Sequence, residues 1–249
     1  MTGNETVQAP HPVLRDYYAR EEDRREYVQQ IFDRTAGDYD RIERMMAFGS
    51  GGWYRHRALR TAGLEAGMSV LDIGTGTGLV ARGAVKIVGD AALVTGVDPS
   101  AGMRDHAKVP TGVRLLAGRA ESIPVEDASA DFLSMGYALR HISDLSLAFR
   151  EFHRVLKPGG RLCLLEITSP KGSVRRALLK IYMRGYVPIV SRALARHAGT
   201  PELMRYYWDT IEACASPAAI VTALSAAGFQ DVQRHLEMGI FSEYRARKR

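Results

Sequence analysis

The stretch Val70-Leu71-Asp72-Ile73-Gly74-Thr75-Gly76-Thr77-Gly78 runs an apolar strand straight into three alternating glycines behind an acid. Glycine lets a backbone turn tightly and approach a ligand closely. The residues from Leu79 onward are helix-compatible, and a helix starting there points its positive N-terminal end at the same ligand. A second apolar run, Leu93 to Val97, ends in Asp98. That is about the offset at which doubly wound α/β folds set an acid against a ribose. Strand, glycine loop, helix, strand and acid in that order argue for a nucleotide-like ligand at the edge of a parallel sheet.

Working outward, strand and helix alternate, which predicts a doubly wound, mostly parallel sheet with helices on both faces. Strands are expected at 69–73, 93–97, 113–116, 131–136 and 160–166, with closing strands near 230–236 and 239–247. Helices are expected near 79–88, 101–107, 144–156 and 217–227. Lys157-Pro158-Gly159-Gly160 reads as a turn before the fifth strand. Three units follow: a disordered tail over 1–12, an N-terminal helical segment over 13–62 that covers the site, and a core over 63–249. A helical cap is inserted in that core at about 173–210. Its first part, from 173 to about His197, carries large apolar residues such as Leu178, Leu179, Ile181 and Tyr182 together with several arginines.

Composition narrows the class. The chain has 249 residues, 46% of them apolar, enough for a sizeable core. No stretch reaches the roughly 18 continuous apolar residues of a membrane span. The polar N-terminus lacks a signal-peptide core, and two cysteines, Cys163 and Cys214, do not make a disulfide framework. A cytoplasmic protein is expected. The net charge of +6 permits contact with nucleic acid or anionic lipid without requiring it. No nucleic-acid-binding motif is present, so nucleic acid is not an expected partner. Peripheral contact with a membrane and self-association as a homodimer are both compatible with the sequence.

The glycine spacing is G-x-G-x-G, not the G-x-G-x-x-G of dinucleotide folds, and no P-loop motif occurs. Asp72 stands two residues before the first glycine. This D-x-G-x-G-x-G order resembles motif I of class I S-adenosylmethionine (SAM)-dependent methyltransferases. Longer segments resemble one branch of them. They are Ile31-Phe32-Asp33-Arg34-Thr35-Ala36-Gly37-Asp38-Tyr39-Asp40, Met46-Ala47-Phe48-Gly49, Gly118-Arg119-Ala120-Glu121-Ser122-Ile123-Pro124, Tyr137-Ala138-Leu139-Arg140-His141-Ile142-Ser143-Asp144, and Arg154 to Leu162. Together they are similar to the UbiE-type C-methyltransferases of ubiquinone and menaquinone biosynthesis. The resemblance is good over about 27–170 and looser elsewhere.

The resemblance implies a seven-stranded class I methyltransferase fold whose final strand is antiparallel, SAM as the cofactor, and a small hydrophobic aromatic or quinol-like acceptor methylated at carbon. It implies that Gly74, Gly76, Thr77, Gly78, Ala120 and Gly136 line the cofactor, that Asp98 accepts hydrogen bonds from the ribose, and that Arg119 faces the adenine. Asp72 is expected to support the loop or the donor ammonium. Arg140, His141 and Tyr39 are the catalytic candidates. An arginine is a poor base because it stays charged, so Arg140 suits stabilising a phenolate; a salt-bridged surface arginine would fit as well. His141 titrates near neutrality in water and suits a base; packing or capping the next helix would also explain it. Tyr39 and Tyr137 read as acceptor walls or as core, and Glu166 ends its strand at the same rim. None of the histidines shows metal-ligand spacing.

Three departures from the family pattern stand out. The family usually has Arg-Asn where this chain has Arg140-His141. It usually has Asp or Asn at Arg119. Its C-terminal strand carries a small-residue and histidine pattern in place of Met238 to Arg245. O- or N-methylation of a secondary metabolite, and a non-catalytic cofactor-binding role, are the rival functions.

Overall fold

The computed structural model describes residues 8–194 and 199–249. Seven strands form one sheet: β1 (Val70–Ile73), β2 (Val94–Asp98), β3 (Arg114–Ala117), β4 (Ala130–Gly136), β5 (Leu156–Ile167), β6 (Gln230–Glu237) and β7 (Phe241–Arg247). Their order is β3-β2-β1-β4-β5-β7-β6. The first five are parallel, and β7 inserts antiparallel between β5 and the edge strand β6. The strand order reverses at β1, between β2 and β4. In open α/β sheets that switch point is where the crevice for a ligand opens.

Side chains alternate across a strand, and the alternation here separates two cores. Leu162 and Leu164 of β5 pack with α5 (Leu145–Val155) and α9 (Pro217–Ala226) on one face. Cys163 and Leu165 pack on the other face with α2 (Gly51–Thr61) and α3 (Leu79–Val88). Both cysteines are free thiols, and Cys163 is a core residue. A third apolar cluster lies beyond the sheet. There α1 (Glu21–Met46) meets α8 (Thr200–Ala213) and a π-helical turn over Ile181–Tyr186. That turn joins α6 (Ser173–Lys180) to α7 (Val187–Leu194), so the expected insertion is a broken helix.

Several expectations need correction. Residues 8–12 are irregular but packed, not disordered: Gln8 and Pro10 carbonyls accept from the Leu145 and Ala215 amides, and His11 is buried. The expected disorder of residues 1–7 and the expected end of the insertion near His197 lie outside the described residues. The helix expected from Val13 starts only at Glu21 and runs unbroken to Met46. The strand expected from 160 starts at Leu156. Its pairing with β4 jumps from Ala130–Leu156 to Phe132–Arg161, so Lys157 to Gly160 loops out within the strand. The expected turn before the strand is therefore a bulge inside it: Gly159, at φ +80°, lets the chain loop out while the strand continues on both sides. The last strand begins at Phe241, because Met238 and Gly239 take left-handed conformations and turn the chain.

Candidate active site

The glycine loop sits at the C-terminal end of β1. Gly74, Gly76 and Gly78 have φ of +65°, +54° and +85°, a region that L side chains rarely adopt. Gly78 is the residue that caps α3, and a Cβ there would collide with Val109. At Gly76 an added Cβ would meet nothing within 4 Å, because that position opens onto a cavity. Asp72 does not line the cavity. Strand alternation turns it to the α3 side of the sheet, where it accepts hydrogen bonds from Thr75 Oγ1 (2.7 Å) and Ser134 Oγ (2.8 Å). It braces the loop from beneath. Thr77 is also turned away, its hydroxyl donating to Asp40 at 2.5 Å.

Two cavities meet here. The smaller, about 120 Å³, is lined by Gly74, Gly76, Asp98, Arg119, Ala120, Gly136 and His141, with Phe32, Met103 and Ile142 as apolar walls. The larger, about 400 Å³ and mostly apolar, is lined by Tyr39, Glu43, Tyr54, Arg140, Leu179, Met183, Tyr207 and others. Tyr39 and Tyr137 line both. Tyr137 stands at the end of β4 with φ +61°, held there by its amide donating to Leu165 O at 2.7 Å. A bulky residue in that region stores strain of about 1–3 kcal/mol, and such strain gathers at functional sites. Arg55, paired with Glu43 at 2.7 Å, lies 5.4 Å from the Tyr137 ring centroid.

The roof over both cavities is α1. Thr35, Tyr39, Ile42, Glu43 and Met46 recur at helical spacing and face the larger cavity. Val28, Gln29 and Phe32, one to three turns earlier, face the smaller. Acids pin the helix in place. Asp33 accepts from Ser100 Oγ (2.6 Å) and the Gly102 amide (2.9 Å), and Asp40 accepts from Thr77. Asp38 accepts from Thr200 Oγ1 at 3.0 Å, tying α1 to α8. These acids fall in the Ile31–Asp40 segment. Sequence reading used that segment for resemblance and missed its clasping role.

Asp98 ends β2 in the smaller cavity and accepts from the Gly76 and Ser100 amides at 2.8 and 2.9 Å. Burial lifts its carboxyl to about 6, with those two amides pulling the other way. Arg140 is wholly buried, so the surface-arginine alternative is overturned. It pairs with Glu166 and donates to Thr210 Oγ1 at 3.2 Å. A buried guanidinium keeps its charge only when paired and hydrogen-bonded, and both conditions are met. It faces the larger cavity.

His141, though adjacent in sequence, faces the smaller cavity. Its ring packs against Phe32, Tyr206 and Tyr207 at centroid distances of 5.2, 5.5 and 5.8 Å. Neither ring nitrogen has solvent access or a hydrogen-bond partner among the described residues. Burial, reinforced by the charge of Arg140, holds the imidazole well below the ordinary histidine value. This geometry sets His141 on the smaller cavity and Arg140 on the larger one. Among the described residues the carboxylates lining the larger cavity are Glu43 and Glu237. Sequence reading named neither. The Ile42-Glu43 pairing on the face that carries Tyr39 was the available signal.

Comparison with known proteins agrees with the fold. The profile of the ubiE/COQ5 methyltransferase family matches residues 19–248. A ubiquinone/menaquinone biosynthesis C-methyltransferase of Rubrivivax gelatinosus is 35% identical over 94% of this chain and 93% of its own. A demethylmenaquinone methyltransferase of Staphylococcus aureus is 33% identical over 69% and 73%. Among solved structures, a SAM-dependent methyltransferase of Thermotoga maritima superposes with a TM-score of 0.63 at 23% identity, covering 89% of this chain and all of that one. One from Aquifex aeolicus gives 0.59 at 22%, covering 84% and 97%.

Proposed function

This chain belongs to the ubiE/COQ5 methyltransferase family, and from that premise we propose that it methylates a ring carbon of a quinol, with SAM in the smaller cavity and the quinol in the larger. The observation that carries this reading is the meeting of the two cavities at Tyr39 and Tyr137. One cavity offers backbone turns and a carboxylate; the other is apolar with a buried cation at its wall.

The residues of the smaller cavity fit the cofactor. Asp98 would accept the ribose hydroxyls, Gly74 and Gly76 would let the backbone approach the methionine part, and Phe32, Met103 and Ile142 would enclose the adenine beside Arg119 and Ala120. SAM bound there supplies a methyl group already activated by the sulfonium charge. In-line displacement then needs positioning and the exclusion of water. The roof helix and the cap provide both.

The acceptor must become electron-rich before its carbon attacks. Arg140 supplies fixed positive charge to an ionised ring hydroxyl, in a site where water does not screen it. Glu166 and Thr210 hold its orientation. Tyr39, which lines the same cavity, would donate its hydroxyl to the same oxygen. Glu43, paired with Arg55 at 2.7 Å, would receive the hydroxyl proton directly or through water, and after transfer the proton on the methylated ring carbon would leave to water as the ring becomes aromatic again. His141 acts as a wall of the cofactor cavity.

The test is transfer from methyl-labelled SAM to a reduced short-chain demethylmenaquinol, with the product identified by mass and NMR. A new ring methyl is expected. An O–CH₃ or N–CH₃ product, or no transfer to any quinol with cofactor binding intact, overturns the proposal.

A further inference from the structure

The surface around the open end of the larger cavity is apolar where a surface in water is ordinarily polar. Helix α6 buries none of its residues. Its Val174 and Leu178, with Ile181 just beyond, are spaced i, i+4 and i+7 and so share a face. All three are exposed, Ile181 by 67%. Opposite them stand Phe48, Trp53 and Met238, exposed by 80%, 66% and 81%. Trp53 and Met238 line the cavity itself. These elements form one rim. The Phe48 ring lies 6.5 Å from Tyr182, whose hydroxyl donates to Met46 O at 2.9 Å. The β6–β7 turn at Gly239 lies beside Arg175 of α6.

Cations are set among these side chains. Arg175 and Lys180 are exposed on α6, and the Arg57 guanidinium lies 5.5 Å from the Trp53 ring centroid. No helix among the described residues is long and apolar enough to cross a membrane. An exposed apolar helix face flanked by lysine and arginine, with aromatic residues beside it, is the pattern of an element lying in a lipid interface. The +6 net charge agrees in sign.

We propose that this rim docks on an anionic lipid bilayer, with α6 lying along the interface and the mouth of the acceptor cavity opening toward the acyl chains. A second copy of the chain fits less well, because a two-fold contact through α6 would set its cations against each other. Docking lets a lipid-borne acceptor slide into the cavity without crossing water. That consequence rests on the quinol reading; the docking does not.

The experiment is co-sedimentation of the full chain with phosphatidylcholine vesicles, with and without phosphatidylglycerol. Binding is expected with the anionic vesicles and should weaken as salt rises. Leu178→Ser with Ile181→Ser should lower the partition coefficient about tenfold or more. Neither residue lines either of the two cavities described above, so turnover of a short-chain, water-soluble acceptor should not change. Arg175→Ala with Lys180→Ala should weaken binding to anionic vesicles only. No binding to anionic vesicles, or unchanged binding by the Leu178/Ile181 variant, overturns the proposal. So does a solution dimer that the same variant dissociates. Vesicle binding needs no acceptor, so a failed methyl-transfer assay with intact, variant-sensitive binding would count against the quinol reading alone.

Discussion

The Tyr207 ring lies across the guanidinium of Arg140, with Cζ 5.0 Å from the ring centroid. The Tyr207 hydroxyl shares a hydrogen bond with that of Tyr39. One cap residue on α8 therefore touches the roof helix and the buried cation of the methyltransferase site. One of the two hydroxyl hydrogens bridges the pair, and the other is available to a ligand in the larger cavity, which both residues line. Burial holds both phenols above the ordinary tyrosine value, so both stay protonated at neutral pH.

Tyr207→Phe keeps the ring over Arg140 and removes only the hydroxyl. It should lower kcat by about tenfold, the worth of one hydrogen bond near a charged site, with little change in the acceptor KM. A Tyr39→Phe/Tyr207→Phe cycle should be non-additive, since the two hydroxyls act through one contact. Additive losses in steady-state kinetics would separate them.

The Arg140–Glu166 pair is buried on both sides, at 2% and 1% side-chain exposure. Glu166→Ala should destabilise the protein by about 3–5 kcal/mol, because it strands a buried charge. Arg140→Met with Glu166→Leu should recover much of that loss in denaturant titrations while remaining inactive. A double variant as unstable as the single one would show that packing, not charge, governs this position.

Asp98 has its carboxyl raised to about 6 by burial. In the proposed binding mode the ionised form would accept both ribose hydroxyls, so cofactor affinity should be full above that value. It should fall as pH drops below it, by up to about tenfold per pH unit. Calorimetric titration against pH checks this, and Asp98→Asn should bind weakly with a flatter pH profile. For stability the sign is opposite. Between about 4 and 6 the folded state holds a proton that the unfolded chain has released, so the Asp98 contribution declines as pH rises through that window.

His141→Ala should raise the KM for SAM more than it lowers kcat, since the ring walls the smaller cavity, where SAM is proposed to bind. With SAM saturating, so that the Asp98 titration does not limit the rate, the pH–kcat profile of the unaltered enzyme should carry no limb at the ordinary histidine value, because burial holds this imidazole well below it. A limb near pH 6.5 that disappears in His141→Ala would restore the base role.

Glu43→Gln keeps shape and removes charge. It should cut kcat with modest effect on SAM affinity and remove the ion pair with Arg55 at 2.7 Å. Unchanged turnover would place the proton acceptor in solvent.

What the sequence determined by itself was local. The strand-loop-helix run from Val70 to Val88, the acid at Asp98 and the order of alternating elements are written in periods of two and 3.6 and in glycine positions. Those signals depend on near neighbours in the chain, so they survive without a structure. The same alternation turns Asp72 toward Ser134 and away from the cavity. Tertiary structure alone decided which candidates share a site. Arg140 and Glu166 meet because β4 and β5 pair, across 26 residues. Tyr207 reaches Tyr39 because Asp38 and Thr200 tie α1 to the cap. Arg140 and His141, neighbours in the chain, face different cavities because a single 3₁₀ turn over Leu139–His141 points successive side chains apart. Side-chain direction at such a turn is set by packing from distant elements, and no local pattern encodes it.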